Sequence, residues 1–234
     1  MKIATWNLCK GNSCKKIEEL IARESPDIIA LQETSHVVDC VFASGYSFAW
    51  AGKPTHGVGL AVKAPLEVVP GPAVENGPKG IFPFIVKSPS FCLHVLVVWT
   101  QREPHYIEDF LTSLDVYGAF LQEQRQRIVL GDFNAHPGFN KANGPRKAFE
   151  WIPNRLRDEF GLTSTYHRYH QKVHGDEHSP THYFRWSEAA PFHIDYIFTP
   201  PTWRIEGLSV GDFESWKAFS DHRPIIADFE VPSA

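Results

Sequence analysis

Seven polar residues stand where the apolar, strand-like runs of this sequence give out, and their types converge on one chemistry. Asn7 closes KIATWN, Glu33 follows DIIALQ, Asp132 and Asn134 lie in RIVLGDFN, Asp195 stands in HIDYIF, and Asp221-His222 precedes PIIADFE. Glu33, Asn7 and Asp221 offer carboxylate and carboxamide oxygens, the hard donors that Mg²⁺ or Mn²⁺ accepts with water completing the shell. Asp132 and Asn134 are two apart in an extended segment, which points both to one side, an acceptor or base beside a donor. That pair can align a water against a phosphate. Asp195 is a partner for His222, because a carboxylate on one ring nitrogen fixes the tautomer and favours the imidazolium that stabilises a phosphorane-like transition state. Taken singly, Asn7 and the GDxN string read as turn formers and Asp195-His222 as a structural ion pair. Ligands of open α/β sheets gather outside strand ends, so the whole set has a place to meet.

The positioning elements follow from periodicity. Residues 2–8 alternate as a half-buried strand and meet the loop formers Gly11 and Asn12. Ser13 suits a helix N-cap, and Ile17, Leu20 and Ile21 recur at helical spacing until Ser25-Pro26 ends the pattern. DIIALQE is a short buried strand, which completes a right-handed βαβ unit with a parallel pair. Between 46 and 98 the short runs YSFAW, GVGLAV, LEVV, FPFIV and FCLHVLVVW read as mostly antiparallel strands. Ile107, Phe110, Leu111, Leu114, Phe120 and Leu121 share a helical face in 106–124 and lead into RIVLGDFN, so the βαβ pattern recurs. A polar loop at 135–145, a helix from 146 to about 160, a His-rich loop at 166–182 and three closing strands (HIDYIF, WRIEGLSV, PIIADFE) complete the reading. No linker or repeat interrupts the chain, and residues 1–234 are expected to form one α/β domain.

TWN at 5–7, LQE at 31–33, GDFN at 131–134, HIDYIF at 193–198 and SDHRPI at 220–225 occur in that order. Together they make the chain resemble the endonuclease/exonuclease/phosphatase superfamily over nearly its whole length. That superfamily comprises exonuclease III-like apurinic endonucleases, deoxyribonuclease I-like enzymes, sphingomyelinases, inositol-polyphosphate phosphatases and deadenylases. The resemblance implies a four-layer α/β sandwich, with two mixed β-sheets packed face to face between helices and a divalent cation at one edge. It implies a Mg²⁺- or Mn²⁺-dependent phosphodiesterase, with a nucleic acid, DNA foremost, as substrate and in-line attack by water. Matched position by position, Glu33 is the principal metal ligand and Asn7 and Asp221 support it. Asp132 and Asn134 orient the water, and His222, held by Asp195, contacts the scissile phosphate.

The sequence departs from the family pattern twice. Apurinic endonucleases carry an acidic residue two positions after the WN asparagine; here Cys9 removes that oxygen ligand, which disfavours a two-metal scheme. The strand before the long helix usually ends in a tyrosine or histidine that touches the phosphate, whereas VLVVWTQ offers Trp99, with only an indole N–H, and Thr100. Either Thr100 or a residue of the His-rich loop at 166–182 is expected to substitute, or the enzyme is intrinsically slower. The loop is favoured, since His167, His170, His174, His178 and His182 precede HIDYIF. With Gly175 and Pro180 interrupting a helix and no flanking cysteine, a loop that is solvated, substrate-facing or merely polar is favoured over a zinc site. Tyr183, Phe184 and Trp186 have two open readings, core packing or a wedge against an unpaired base. His182, Tyr183 and Trp186 therefore join Trp99 and Thr100 as expected substrate contacts.

Composition bounds the alternatives. Of 234 residues, 43% are hydrophobic and 21% charged, an ordinary globular mix with no uninterrupted membrane-length apolar run. The 23 basic and 27 acidic residues leave a net charge of −4, against a broad phosphate-neutralising surface, yet an acidic cluster loaded with a divalent cation becomes electropositive. Cysteines at 9, 14, 40 and 92 are irregularly spaced and are expected as reduced thiols. The start of the chain lacks an apolar signal region, so a cytoplasmic location is expected, with a monomer favoured. A hydrolase of phospholipid head groups or small soluble phosphoesters is the rival enzyme, marked by failure on DNA and RNA. A catalytically silent binding module is the rival of another class, marked by absence of Mg²⁺ binding and hydrolysis; such a module has no need of the acidic set.

Overall fold

Strand alternation sorts the apolar residues of this chain onto three separate surfaces. The computed structural model describes residues 1–11, 13–36, 39–53, 55–89, 91–102, 104–144 and 147–232. Its first half runs β1 (Lys2–Asn7), α1 (Ser13–Glu24), β2 (Ile28–Thr34), α2 (Asp39–Ala43), β3 (Tyr46–Lys53), β4 (His56–Lys63), β5 (Glu67–Pro70), β6 (Ile81–Ser88) and β7 (Phe91–Trp99). Next come α3 (Tyr106–Gln122), β8 (Arg127–Asp132), α4 (Asn140–Asn143), α5 (Trp151–Phe160), β9 (Thr163–Ser164) and α6 (Thr165–His170). The chain closes with β10 (His182–Tyr183), β11 (Pro191–Phe192), β12 (Asp195–Thr199), β13 (Arg204–Val210), α7 (Phe213–Trp216) and β14 (Ile225–Glu230).

Two six-stranded sheets result, in the orders β13-β14-β1-β2-β4-β3 and β5-β6-β7-β8-β12-β9, with β10 and β11 as a separate ribbon. Each large sheet has one parallel pair, β1 with β2 across α1 and β7 with β8 across α3, and its other pairings are antiparallel. Ile3, Ile28, Ala30, Val95, Val97, Ile128 and Leu130 fill the space between the sheets. Their neighbours in sequence face outward: Ala4, Trp6, Ile29 and Leu31 pack with Ile17 and Leu20 of α1, while Leu96, Val98 and Val129 pack with Phe110 and Leu114 of α3 and Phe160 of α5. Helix, sheet, sheet and helix make the expected four layers, and a strand buried on both sides reads as a continuous apolar run such as LHVLVV.

Three expectations need correction. The stretch expected as a polar loop at 135–145 and a helix from 146 instead forms a 3₁₀ turn, Pro137–Phe139, and the short α4, and the longer helix begins only at Trp151 after a turn at 149–150; residues 145 and 146 lie outside the described residues. The start of the His-rich loop is helical, α6, and ends at Gln171 in the left-handed conformation. Cys14 and Cys40, expected as thiols, are joined in a disulfide, their Cα atoms brought to 5.7 Å by the packing of α1 and α2, whereas Cys9 and Cys92 are free. Among the described residues no helix is long and apolar enough to cross a membrane.

Candidate functional site

The inner faces of the two sheets continue past the apolar core into a polar edge. By strand parity Asn7 follows Ile3, Gln32 follows Ile28 and Ala30, Asp132 follows Ile128 and Leu130, and Asp195 precedes Ile197, so all four side chains turn into the space between the sheets. In register, Asp195 lies opposite Asp132 and Asn7 beside Gln32. Gly131 makes the approach possible: with φ +139, a Cβ there would lie 2.0 Å from the Val98 carbonyl oxygen of β7. Glu33 has the wrong parity for this face. A register irregularity between Gln32 and Thr34, with Glu33 at φ +52, re-aims it toward Asn7.

Asn7 bridges the sheets: its Nδ2 donates to Asp132 Oδ2 at 2.8 Å and to Glu33 Oε1 at 3.2 Å, while its Oδ1 accepts from the Cys9 backbone N–H at 2.8 Å. Asp132 also accepts from the Asn134 backbone N–H at 2.9 Å and from its Nδ2 at 3.0 Å. Asn134 has φ +48, so the pair meets through an Asx-type turn and not through the strand alternation expected from the sequence. His222 Nδ1 lies 2.9 Å from Asp195 Oδ2, and its Nε2 lies 4.0 Å from Asp132 Oδ2, too far for a hydrogen bond. That ring edge therefore stays available to another acceptor.

All three of these groups are buried, with Asp132 and Asp195 each 1% exposed and His222 5% exposed. Burial, and then the Asp195 charge, raise the Asp132 pKa. Burial lowers that of His222, but Asp195 and Asp132 outweigh it and hold the ring as imidazolium. Asp221 is driven the other way: burial raises its pKa, yet the His182 imidazole beside it, the His222 charge and the Cys9 thiol bring it down to about 2. Cys9 is pushed up to about 12, by burial first and by Asp221 and Glu33 next, so it is a thiol that donates and not a thiolate.

Residues 4–222 match the model of the Endonuclease/Exonuclease/phosphatase family. The chain belongs to that family. Its members are phosphoric ester hydrolases, generally with a divalent metal. Among solved structures, a 3′ phosphatase from Neisseria bound to a product DNA hairpin superposes with a TM-score of 0.71 at 20% identity, covering 99% of this chain and 100% of that one. The human Nocturnin catalytic domain with bound sulfate gives 0.72 at 18% identity (98% and 93% covered), and an AP endonuclease from Archaeoglobus fulgidus 0.70 at 20% (99% and 100%). At these identities the likeness shows the shared fold. No curated protein sequence matches the chain.

The two departures from the family pattern have structural answers. Where an acidic residue is usual, Cys9 sits in a left-handed turn beside Asp221 and Glu33, and the charges of those two carboxylates act on Lys16, whose ammonium donates to the Leu8 and Lys10 carbonyls. Thr100 is not placed to meet a phosphate: it is 1% exposed and its hydroxyl donates to the Phe133 carbonyl at 2.6 Å. Trp99 packs against the inter-sheet core and edge-on to His56, 5.6 Å away. Of the five loop histidines, His182 reaches the polar edge. Its backbone bridges to His222, its ring centroid lies 4.5 Å from that of His222, and its Nε2 is 3.7 Å from Asp221 Oδ2. His170 and the exposed His178 pack around Tyr166 instead, and His167, which is buried, and His174 surround Glu177, so the expectation of a solvated loop does not hold for His167.

The aromatic triplet divides. Tyr183 packs 4.6 Å from Phe213 and under the Arg223 guanidinium, a core-like role. Phe184 and Trp186 are each 50% exposed on a turn in which Arg185 and Trp186 have positive φ. Reasoning from side-chain chemistry missed the residues that hold the others. Trp6 Nε1 donates to the His222 carbonyl at 3.1 Å. The Ser220 hydroxyl donates to the Asn7 carbonyl at 2.7 Å and accepts from the His222 N–H at 3.0 Å, and Thr181 Oγ1 accepts from the backbone of Ile194 and Asp195. Trp6 and Ser220 lie inside the TWN and SDH strings, which were the available signal. Tyr106, at the start of α3, was missed as well; its phenol feels the Arg102 and Asp132 charges after burial has raised its pKa.

The donor set suits a hard cation. Asp221 Oδ1 is buried without a hydrogen-bond partner, and Glu33 Oε1 accepts from Asn7, so two carboxylates with spare acceptor capacity fit Mg²⁺ or Mn²⁺. Asn7 fits less well as a ligand. Its oxygen is taken by Cys9 and its amide hydrogens point at Glu33 and Asp132, which makes it the residue that spaces the two carboxylates.

Proposed function

We propose that this family member is a divalent-metal-dependent phosphodiesterase that hydrolyses a nucleic acid, DNA foremost, by in-line attack of water. The observation that carries the reading is one buried imidazole between two carboxylates, Asp132–His222–Asp195, at the same edge as Glu33 and Asp221. Clustering buried charges is costly, and a module that only binds has no use for it. Glu33 and Asp221 would hold Mg²⁺ or Mn²⁺, which when bound supplies positive charge to a phosphate oxygen. Asp132 takes the proton of the attacking water, with its lone pairs aimed by Asn7 and Asn134. His222 donates from Nε2 to a nonbridging oxygen and Asp195 keeps it charged and oriented.

His182 takes the place of the missing phenol or imidazole at the end of β7, because its Nδ1 is buried without a partner next to His222. His182→Gln is expected to lower turnover about 10- to 100-fold, the scale of a hydrogen bond to a charged group. His170→Gln, with its ring turned to Tyr166, leaves turnover unchanged. Equal rates for wild type and His182→Gln under saturating substrate would remove His182 from the site.

Nucleic acid is favoured by the exposed Phe184-Arg185-Trp186 turn, which continues directly from His182-Tyr183, and by Lys53, Lys79 and Arg102 lining a cavity of about 490 Å³. The product DNA hairpin held by the Neisseria neighbour points the same way. Stacking on a base contributes about 1–3 kcal/mol, so Trp186→Ala should raise KM for DNA by roughly 10-fold or more and leave bis-p-nitrophenyl phosphate unaffected. The deciding experiment is a panel of abasic duplex, plain duplex, single strand, RNA and bis-p-nitrophenyl phosphate with Mg²⁺ or Mn²⁺. Turnover confined to small diesters or phospholipid head groups would replace the nuclease reading, and no hydrolysis of any of them would replace the enzyme.

A further inference from the structure

Glu177 is a carboxylate with 2% of its side chain exposed, in the loop between α6 and β10. His167 Nε2 lies 2.8 Å from its Oε1, His136 Nε2 lies 3.4 Å from its Oε2, and the Gly175 N–H reaches both oxygens at 3.0 Å. A hydrogen-bonded latch accounts for those contacts. It does not account for His174, whose ring centroid is 3.7 Å from that of His167 and whose Nδ1 is buried without any hydrogen-bond partner. One ligand atom from each of His167, His174 and Glu177 lies within 4.8 Å of the other two. A buried imidazole nitrogen left without a partner, on a ring set beside a carboxylate and a second imidazole, is unfavourable unless something else satisfies it.

We infer that His167, His174 and Glu177 form a binding site for a divalent transition metal, Zn²⁺ in first place, separate from the phosphoesterase site and independent of that reading. Two imidazoles and one carboxylate suit a borderline-soft ion, whereas the all-oxygen pair Glu33 and Asp221 suits a hard one. His136 is not a ligand. Its Nδ1 accepts from the Gly138 N–H at 2.9 Å, so its Nε2 carries the proton and supports Glu177 from outside. Ser164 Oγ, 2.7 Å from His167 Nδ1, fixes that ring in the same way and leaves Nε2 for the ion. His167 and His174 also line a cavity of about 390 Å³, a route by which an ion and a fourth, water ligand would enter. A bound ion would tie α6 to the loop that runs into His182, and so hold the strand that delivers that residue.

The test uses the full chain, stripped with a strong chelator, reloaded with Zn²⁺, desalted and assayed for metal by mass spectrometry. Wild type should retain one equivalent, the Glu33→Ala/Asp221→Ala variant should retain it too, and His174→Ala and Glu177→Gln should lose it. Since a variant can fail to fold, Co²⁺ is added to the stripped wild type as a second measurement, with visible d–d bands of a four-coordinate nitrogen and oxygen site expected. Zinc kept by a folded His174→Ala, or lost in Glu33→Ala/Asp221→Ala, or no retention and no such Co²⁺ bands in wild type would each overturn the assignment and leave the latch.

Discussion

Asp132→Asn is expected to lower turnover by roughly 10²-fold or more while the protein stays folded. The loss follows from chemistry, since an amide cannot take the proton of the attacking water. The small structural effect follows from electrostatics. Asp132 is buried opposite Asp195, and removing one of two like charges relieves a repulsion. Against that, the new amide must present N–H groups to Asn7 or Asn134, donors that now point at a carboxylate. The two effects oppose each other, so the melting midpoint should move by only a few degrees as turnover collapses. His222 must be tested differently. Its removal as alanine would strand Asp195, 1% exposed, without its hydrogen-bond partner, and breaking such a buried pair costs about 3–5 kcal/mol. His222→Gln keeps an N–H for Asp195 and loses the imidazolium; a loss of about 10²-fold or more in turnover is expected, with the near-UV circular dichroism preserved. Near wild-type turnover in either variant would refute the role given to that residue.

Chelation is the second large effect. EDTA should abolish hydrolysis, Mg²⁺ or Mn²⁺ should restore it, and Glu33→Ala should raise the metal concentration needed for half-maximal activity by at least about 10- to 100-fold. Glu33 is partly exposed, hydrogen-bonded to the Asn7 side chain, and held on an irregularity of β2, so its truncation removes a charge without opening the core. Cys9 offers a related handle. As a thiol donating toward Asp221 it occupies the position of a third carboxylate, and Cys9→Asp should lower the metal requirement. Titration of activity against free Mg²⁺ reads the wild type and both variants on one scale, and full activity of Glu33→Ala at low metal would remove Glu33 from the site.

Much of this protein is decided locally. Alternation with period two sends Ile3, Ile28, Ala30, Ile128 and Leu130 to one face, and the same parity carries Asn7, Asp132 and Asp195 to that face once the strands stack. A reader of the sequence alone therefore obtains the strands, the two βαβ units and the polar residues at their ends, and the five ordered strings name the family. What has no local period had to wait for the tertiary structure. Glu33 reaches the site through a positive φ that its neighbours in β2 do not announce, and Asn134 through a turn where strand geometry was expected. Cys14 meets Cys40 because α2 folds back on α1, and irregular spacing carries no trace of that contact. The histidines divide between three surroundings, His182 at the site, His170 and His178 around Tyr166, and His167 and His174 around Glu177, although their spacing is nearly uniform. Spacing specifies which side chains share a face only while the backbone repeats. Beyond α6 the chain is a loop anchored through Thr181 to β12 and Arg223 and through the backbone of His178 and Ser179 to the Tyr166 hydroxyl, and such long-range hydrogen bonds, not a local period, set where the rings lie.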